Sequence, residues 1–109
     1  MEITDVPFST VTWNSIEPTW DEGKTGKVLS KTFEIGNIRV RMVEYTPGYL
    51  ADHWCSRGHV VLVLGGELEI ELNDGRTFQL NTGMSFQVAE GTEAHRLSTL
   101  SGAKVFIVD

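Results

Sequence analysis

Through most of its second half the chain alternates apolar and polar positions with a period of two, and turn-forming residues break the alternation at short intervals. Leu68, Ile70 and Leu72 alternate with Glu67, Glu69 and Glu71, the pattern of a half-buried strand with one charged face. Asn73-Asp74-Gly75 tolerates left-handed backbone, so the chain is expected to reverse there and return as a partner strand over 76–80. Asn81-Thr82-Gly83 marks another turn, after which Met84, Phe86 and Val88 alternate with Ser85 and Gln87. A loop over 89–94 leads into a strand that carries His95, Leu97 and Thr99 on one face. After Ser101-Gly102, the apolar run 104–108 predicts a more fully buried strand. Upstream, 33–35, Gly36-Asn37 and 38–45 have the form of strand, turn and strand, and no helical period of useful length occurs anywhere. Short strands at even spacing predict an all-β sandwich or barrel over 31–109.

Residues 1–30 lack a sustained period, with Pro7, Trp13, Pro18 and Trp20 scattered among small polar residues. They are expected to form an extended N-terminal arm. Its tryptophans need cover, either from the barrel or from a second subunit, because large aromatics left in water make an unusual exposed patch.

Composition narrows the function. At 109 residues and 40% hydrophobic content there is material for one core. A net charge of −6 argues against neutralising nucleic-acid phosphates or sitting on an anionic membrane. Met1 to Asp5 shows no basic, apolar leader pattern, and no stretch approaches the roughly 18 apolar residues of a membrane span. A cytoplasmic protein with neither nucleic-acid nor membrane partners is expected. Cys55 is the one cysteine, so an internal disulfide is excluded, and its thiol is a core residue, a reactive group or a metal ligand.

The segment from Pro47 to His59 concentrates the chemistry. Residues two apart on an extended strand share a face, so His53 and Cys55 project together while Trp54 faces away. Ser56-Arg57-Gly58 can turn the chain so that His59 opens the next strand toward the same space, with Val61 and Val63 continuing the inner face. His95 follows a second glycine-bearing loop, and with it all three histidines and the cysteine are used. Arg39 and Arg41 share a strand face, either to grip a carboxylate through their planar forks or as a solvated or intersubunit surface. The Glu67-Glu69-Glu71 row has the character of a solvated face that protects a sheet edge.

This segment resembles the first sequence motif of the cupins: a glycine, a His-x-His pair, a glutamate four positions on and a glycine seven beyond. Gly48, His53, Cys55, His59 and Gly66 occupy those slots, with Cys55 in place of the second histidine and His59 in place of the glutamate. Gly83, Ala89, Gly91, His95 and Thr99 resemble the second motif, with alanine in its proline slot, threonine in its asparagine slot and one extra residue before the histidine. Asp52-His53-Trp54-Cys55 is also similar to a group of small cupins named for those four residue types, a likeness that carries no activity with it.

The resemblance implies a double-stranded β-helix, the jelly-roll barrel, with His53, Cys55, His59 and His95 around one transition-metal ion. Replacing a carboxylate by imidazole and an imidazole by thiolate favours Zn or Fe, with Cu or Ni also suited. Four bound ligands would close a tetrahedral site, whereas a catalytic ion needs an open position. Three function classes follow: a metalloenzyme of dioxygenase or isomerase type acting on a small organic substrate, a metal- or redox-sensing module, or a metal-free cupin binding a sugar or organic acid. Tyr45, Tyr49, Gln87 and Arg41 are the expected pocket residues, with the mouth formed by the Tyr49 and 90–94 loops. A homodimer is expected, covering exposed barrel edges.

Overall fold

The computed structural model describes residues 2–109, and among these it contains eight strands and one short 3-10 turn at Trp13–Ser15. The strands are β1 (Thr19–Glu22), β2 (Lys27–Ile35), β3 (Ile38–Tyr45), β4 (His59–Leu72), β5 (Thr77–Asn81), β6 (Ser85–Val88), β7 (His95–Ser98) and β8 (Ala103–Val108). All pair antiparallel. The hairpin read at Asn73-Asp74-Gly75 joins β4 to β5, with Leu68 opposite Leu80 and Ile70 opposite Phe78. No helix among the described residues is long and apolar enough to cross a membrane.

β4 organises the barrel. Its first half lies between β6 and β8, pairing Val61 with Phe86 on one side and with Ile107 on the other. Its second half lies between β5 and β7, pairing Ile70 with Phe78 and with Leu97. The strand changes sheets at Gly65-Gly66, where the register to β8 shifts after Val63. Gly66 has φ +73°, and a Cβ there would collide with the carbonyl oxygen of Gly102. Glycine is the residue that permits both the left-handed backbone and the close approach.

Alternation fills the interior. Val61 and Val63 from β4, Val43 from β3 and Ala103, Val105 and Ile107 from β8 form one buried cluster with Leu68, Ile70, Leu72 and Leu80. Leu68 and Val105 are fully buried, a condition worth about 1.5–3 kcal/mol for each side chain.

The structure adds detail to the arm, its tryptophans and the glutamate row. β1 and the first four residues of β2 fall within the segment expected as an arm, paired from Thr19 opposite Ser30 to Glu22 opposite Lys27. All four β1 residues are exposed, so this strand is held by ladder hydrogen bonds and leaves no apolar alternation to read. Trp13 packs edge-on against Phe106 of the barrel with ring centroids 6.4 Å apart, whereas Trp20 stays 60% exposed. The glutamate row is also engaged. Glu67 Oε1 accepts hydrogen bonds from Thr99 Oγ1, the backbone N–H groups of Leu100 and Ser101, and Ser101 Oγ, and Glu71 pairs with Arg96 at 2.7 Å. The Ser101 amide is the main cause that lowers the Glu67 carboxyl below its usual range.

Gly66→Ala should destabilise the protein by more than about 2 kcal/mol, since left-handed backbone strain and a steric clash act together. Urea unfolding monitored by tryptophan fluorescence measures this, and an unchanged midpoint would refute the crossover argument.

Candidate metal centre

The site begins at a turn. Pro47-Gly48 reverses the chain, closed by the Tyr49 N–H bond to the Thr46 carbonyl, and Gly48 has φ +80°. The chain then runs beside β7, Tyr49 accepting from the Thr99 N–H and Ala51 donating to the Leu97 carbonyl. Cys55 and His95 exchange both backbone hydrogen bonds, at 2.8 and 2.9 Å. Four steps from Ala51 to Cys55 therefore oppose two steps from Leu97 to His95, and the excess is taken up as a bend at Asp52-His53. This bulge sets Cys55 opposite His95 and throws His53 outward.

Past the bulge, Gly58 donates its N–H to Glu90 Oε1 at 2.8 Å, and a Cβ on Gly58 would lie 2.7 Å from the Glu90 nitrogen. The close contact with the 89–91 loop fixes where His59 enters β4. Cys55 Sγ and one nitrogen each of His59 and His95 then lie within 4.8 Å of one another. His53 is outside this trio. Its side chain is 81% exposed and its Nδ1 lies 2.6 Å from Asp52 Oδ1, although the residue still lines the same cavity. The assumption that failed is unbroken strand geometry from 53 to 55.

The two buried imidazoles meet at Nε2, 2.8 Å apart. His95 Nδ1 lies 3.0 Å from the Glu93 carbonyl oxygen, which fixes its proton on Nδ1 and leaves a lone pair on Nε2. His59 Nδ1 faces Asp109 Oδ2 at 3.5 Å. If His59 carries its proton on Nδ1, two lone pairs confront each other; if on Nε2, a lone pair confronts a carboxylate. A cation between the Nε2 atoms would remove both conflicts; His95 is oriented by an outer carbonyl, whereas His59 Nδ1 makes no hydrogen bond among the described residues. Burial, reinforced by His95, lowers the His59 pKa and favours the neutral imidazole that ligates. The Phe86 ring stands 5.7 Å from each imidazole ring.

Asp109 is the charged hub behind the trio, its side chain 1% exposed. Arg39 grips it by a two-pronged fork at 2.9 and 3.0 Å, Arg41 Nη2 reaches it at 3.1 Å and Arg57 at 3.8 Å. Burial pushes the carboxyl upward, but Arg39 and Arg41 outweigh it and hold the pKa below the usual value. Arg39 and Arg41 are thus half-buried and engaged with a carboxylate of the chain itself.

A cavity of about 200 Å³ adjoins the trio, lined among others by Arg41, Tyr45, Tyr49, Val61, Phe86 and Ile107. Burial and the neighbouring Tyr49 push the Tyr45 phenol upward, so it stays a hydrogen-bond donor at neutral pH. Gln87 is exposed and does not line this cavity, because alternation along β6 turns Phe86 inward in its place. Trp54 lies outside, with the Arg96 guanidinium 4.6 Å over its ring. Asp109 and Phe86 were missed by sequence reasoning, and Glu90 was expected only as part of the mouth loop. A signal existed for Asp109, which continues the inward parity of Ala103, Val105 and Ile107.

No protein-family model matches the chain, and no curated protein matches it in sequence. Solved structures do match. An RmlC-like cupin from Shewanella frigidimarina superposes with a TM-score of 0.76 at 16% identity, covering 96% of this chain and 92% of that one. This chain has the cupin fold. A sugar phosphate isomerase of the cupin superfamily from Silicibacter pomeroyi matches at a TM-score of 0.70 and 16% identity, over 92% of this chain and 74% of that one. Ectoine synthase from P. lautus matches at 0.72 and 22%, over 93% and 76%. Within the cupin fold the trio lies where β4 and β7 begin, and the cavity opens beside it.

Asp109→Asn should cost about 1–3 kcal/mol at neutral pH, because it leaves partly buried guanidinium charge without its counterion. The native carboxylate has a lowered pKa, so its stabilisation is complete above the unfolded value of about 3.9 and is lost as pH falls through the folded value. Urea midpoints measured from pH 7 downward should therefore fall less steeply in the variant than in the parent.

Proposed function

We propose that this chain is a small metal-dependent enzyme that holds one first-row transition ion, Zn(II) or Fe(II) foremost, through Cys55, His59 and His95. The observation that carries the reading is the 2.8 Å contact between two Nε2 atoms, with His95 Nδ1 on a carbonyl and His59 Nδ1 facing a carboxylate at 3.5 Å. One thiolate and two imidazoles suit Zn or Fe better than Mg or Mn. An ion held there supplies Lewis acidity to a small organic substrate in the adjoining cavity.

Three protein donors leave room for a substrate atom, as catalytic sites require, whereas a fourth from His53 would close the site. The bulge that turns His53 outward therefore favours an enzyme over a closed sensing site. His53 stands at the cavity with Asp52 fixing its ring, positioned to move protons at the mouth. Isomerase or dioxygenase chemistry is the reaction class proposed; the sugar phosphate isomerase and ectoine synthase matches are enzymes on this fold, which by itself selects no reaction.

The chain is further proposed to pair as a homodimer through the outer face of β4, where Val60, Leu62 and Leu64 are exposed in a row. Light scattering behind gel filtration should give twice the 12.1 kDa chain mass. Leu62→Glu should return the monomer, and a monomeric parent would exclude the pairing.

Elemental analysis of protein purified without tag or chelator should find about one equivalent of a single transition metal. Cys55→Ser and His95→Ala should weaken metal affinity by more than about 100-fold, beyond the effect of losing an outer-shell partner. His53→Ala should leave the metal content unchanged while lowering activity. A parent that takes up none of Zn, Fe, Ni or Cu would remove the metal and leave a metal-free binding pocket.

A further inference from the structure

Inward parity on β3 places Arg39, Arg41, Val43 and Tyr45 on the barrel side of the sheet, and Arg41 lies opposite Ile107 of β8. Three guanidiniums, those of Arg39, Arg41 and Arg57, converge on the single carboxylate of Asp109. This leaves surplus positive charge at the site of a protein whose net charge is −6. The surplus is not shared equally. Arg39 spends its fork on Asp109 and does not line the cavity, whereas Arg41 lines it, gives only Nη2 to Asp109 and keeps a buried Nε without a partner among the described residues.

We propose that the cavity is a carboxylate subsite in which Arg41 holds the acid group of a small organic acid beside the three donors. This names the substrate class of the metal site proposed above and rests on that reading for its neighbour, not for its own chemistry. A guanidinium presents planar paired donors that match a carboxylate, and a charge-assisted bond of this kind is about twice as strong as a neutral one. Arg96 also lines the cavity and also keeps an unpartnered Nε, but its guanidinium is taken up by Glu71 and by the Trp54 ring outside it, which leaves Arg41 for a planar monoanionic group in preference to a phosphate dianion. Tyr45, whose phenol stays protonated, supplies a second donor on the lining. Val61, Phe86, Leu97 and Ile107 form apolar wall for a short carbon skeleton. At about 200 Å³ the space is below the roughly 300–1,000 Å³ of pockets for drug-sized ligands, so the acid is one of a few carbons.

Calorimetric titration tests the assignment on the protein as purified and again after saturation with zinc. The probes are acetate, propionate and succinate, their matched primary amides, and inorganic phosphate. At least one acid should bind, its amide at least about tenfold more weakly, and phosphate more weakly than the acid. Arg41→Gln should weaken the acid by at least about tenfold while amide binding and zinc content stay at parental levels. Arg41→Lys keeps a charge opposite Asp109, so it preserves the fold where the glutamine variant does not, and it should still lose acid affinity because the fork is gone. Acid binding unchanged in a folded Arg41 variant, amides equal to acids, a preference for phosphate, or no binding of any acid would each overturn the proposal. Should the parent take up no metal yet bind acids with the same dependence on Arg41, the metal reading falls and the carboxylate subsite stands.

Discussion

One strand has to serve two sheets, and both the barrel and its chemistry depend on how it does so. β4 hydrogen-bonds to β6 and β8 before Gly65-Gly66 and to β5 and β7 after it. At the bend the Gly66 backbone passes so close to Gly102 that a Cβ would collide with it, so the crossover depends on glycine there. Its consequence is that His59, at the start of β4, and His95, paired with Leu72 at the end of β4, are brought together by the curvature of the same strand. Glu67 anchors the far side of the bend by binding the 99–101 loop through backbone and side-chain donors. The histidine contact is therefore a property of barrel closure and cannot be obtained from either half of β4 alone.

Charge ties the remaining strands to the same place. Asp109 follows β8, Arg39 and Arg41 belong to β3, Arg57 precedes β4 and His59 opens it, so one carboxylate connects three neighbouring strands. Buried ion pairs often add little net stability, because desolvation offsets attraction, but they punish any arrangement that leaves one partner unpaired. Such a cluster specifies geometry more than it stabilises. Here it holds the His59 ring in register behind the trio, and Arg41 retains capacity for a further anion.

Much of this was legible from alternation. The odd-numbered positions of β8 and of the first half of β4 face inward as the period of two requires, and the hairpin at Asn73-Asp74-Gly75 forms where its turn residues stand. The convergence of Cys55, His59 and His95 was likewise legible, because each sits at an inward position near a glycine-bearing turn. His53 stands outside the trio because the bend at Asp52-His53 has no ladder pairing to hold its side chain inward, and nothing in Asp52-His53 distinguishes a bend from a continuing strand. β1 was unreadable for another reason: all its residues are exposed, so backbone hydrogen bonds hold it and no side-chain pattern records it. Gln87 and Asp109 represent failures of application, since the parity that turns Phe86 inward turns Gln87 away, and the parity that buries Ile107 brings Asp109 inside.

Backbone pairing, not residue type, places the three donors. Cys55 and His95 are locked by two mutual backbone hydrogen bonds, and His59 follows a glycine whose N–H is held by Glu90. None of these contacts depends on the side chain at the donor position. The scaffold can therefore exchange a carboxylate for an imidazole, or an imidazole for a thiolate, without moving the points from which ligands project, and the cost of the exchange falls on metal preference. The outer acceptors are less exchangeable. The Glu93 carbonyl accepts the Nδ1 proton of His95, whereas His59 Nδ1 faces the Asp109 carboxylate at 3.5 Å without a hydrogen bond among the described residues. The carbonyl is a fixed feature of the loop before β7. The carboxylate carries charge and draws arginines around itself, so the charge facing His59 and the electrostatics of the neighbouring cavity share a single physical origin.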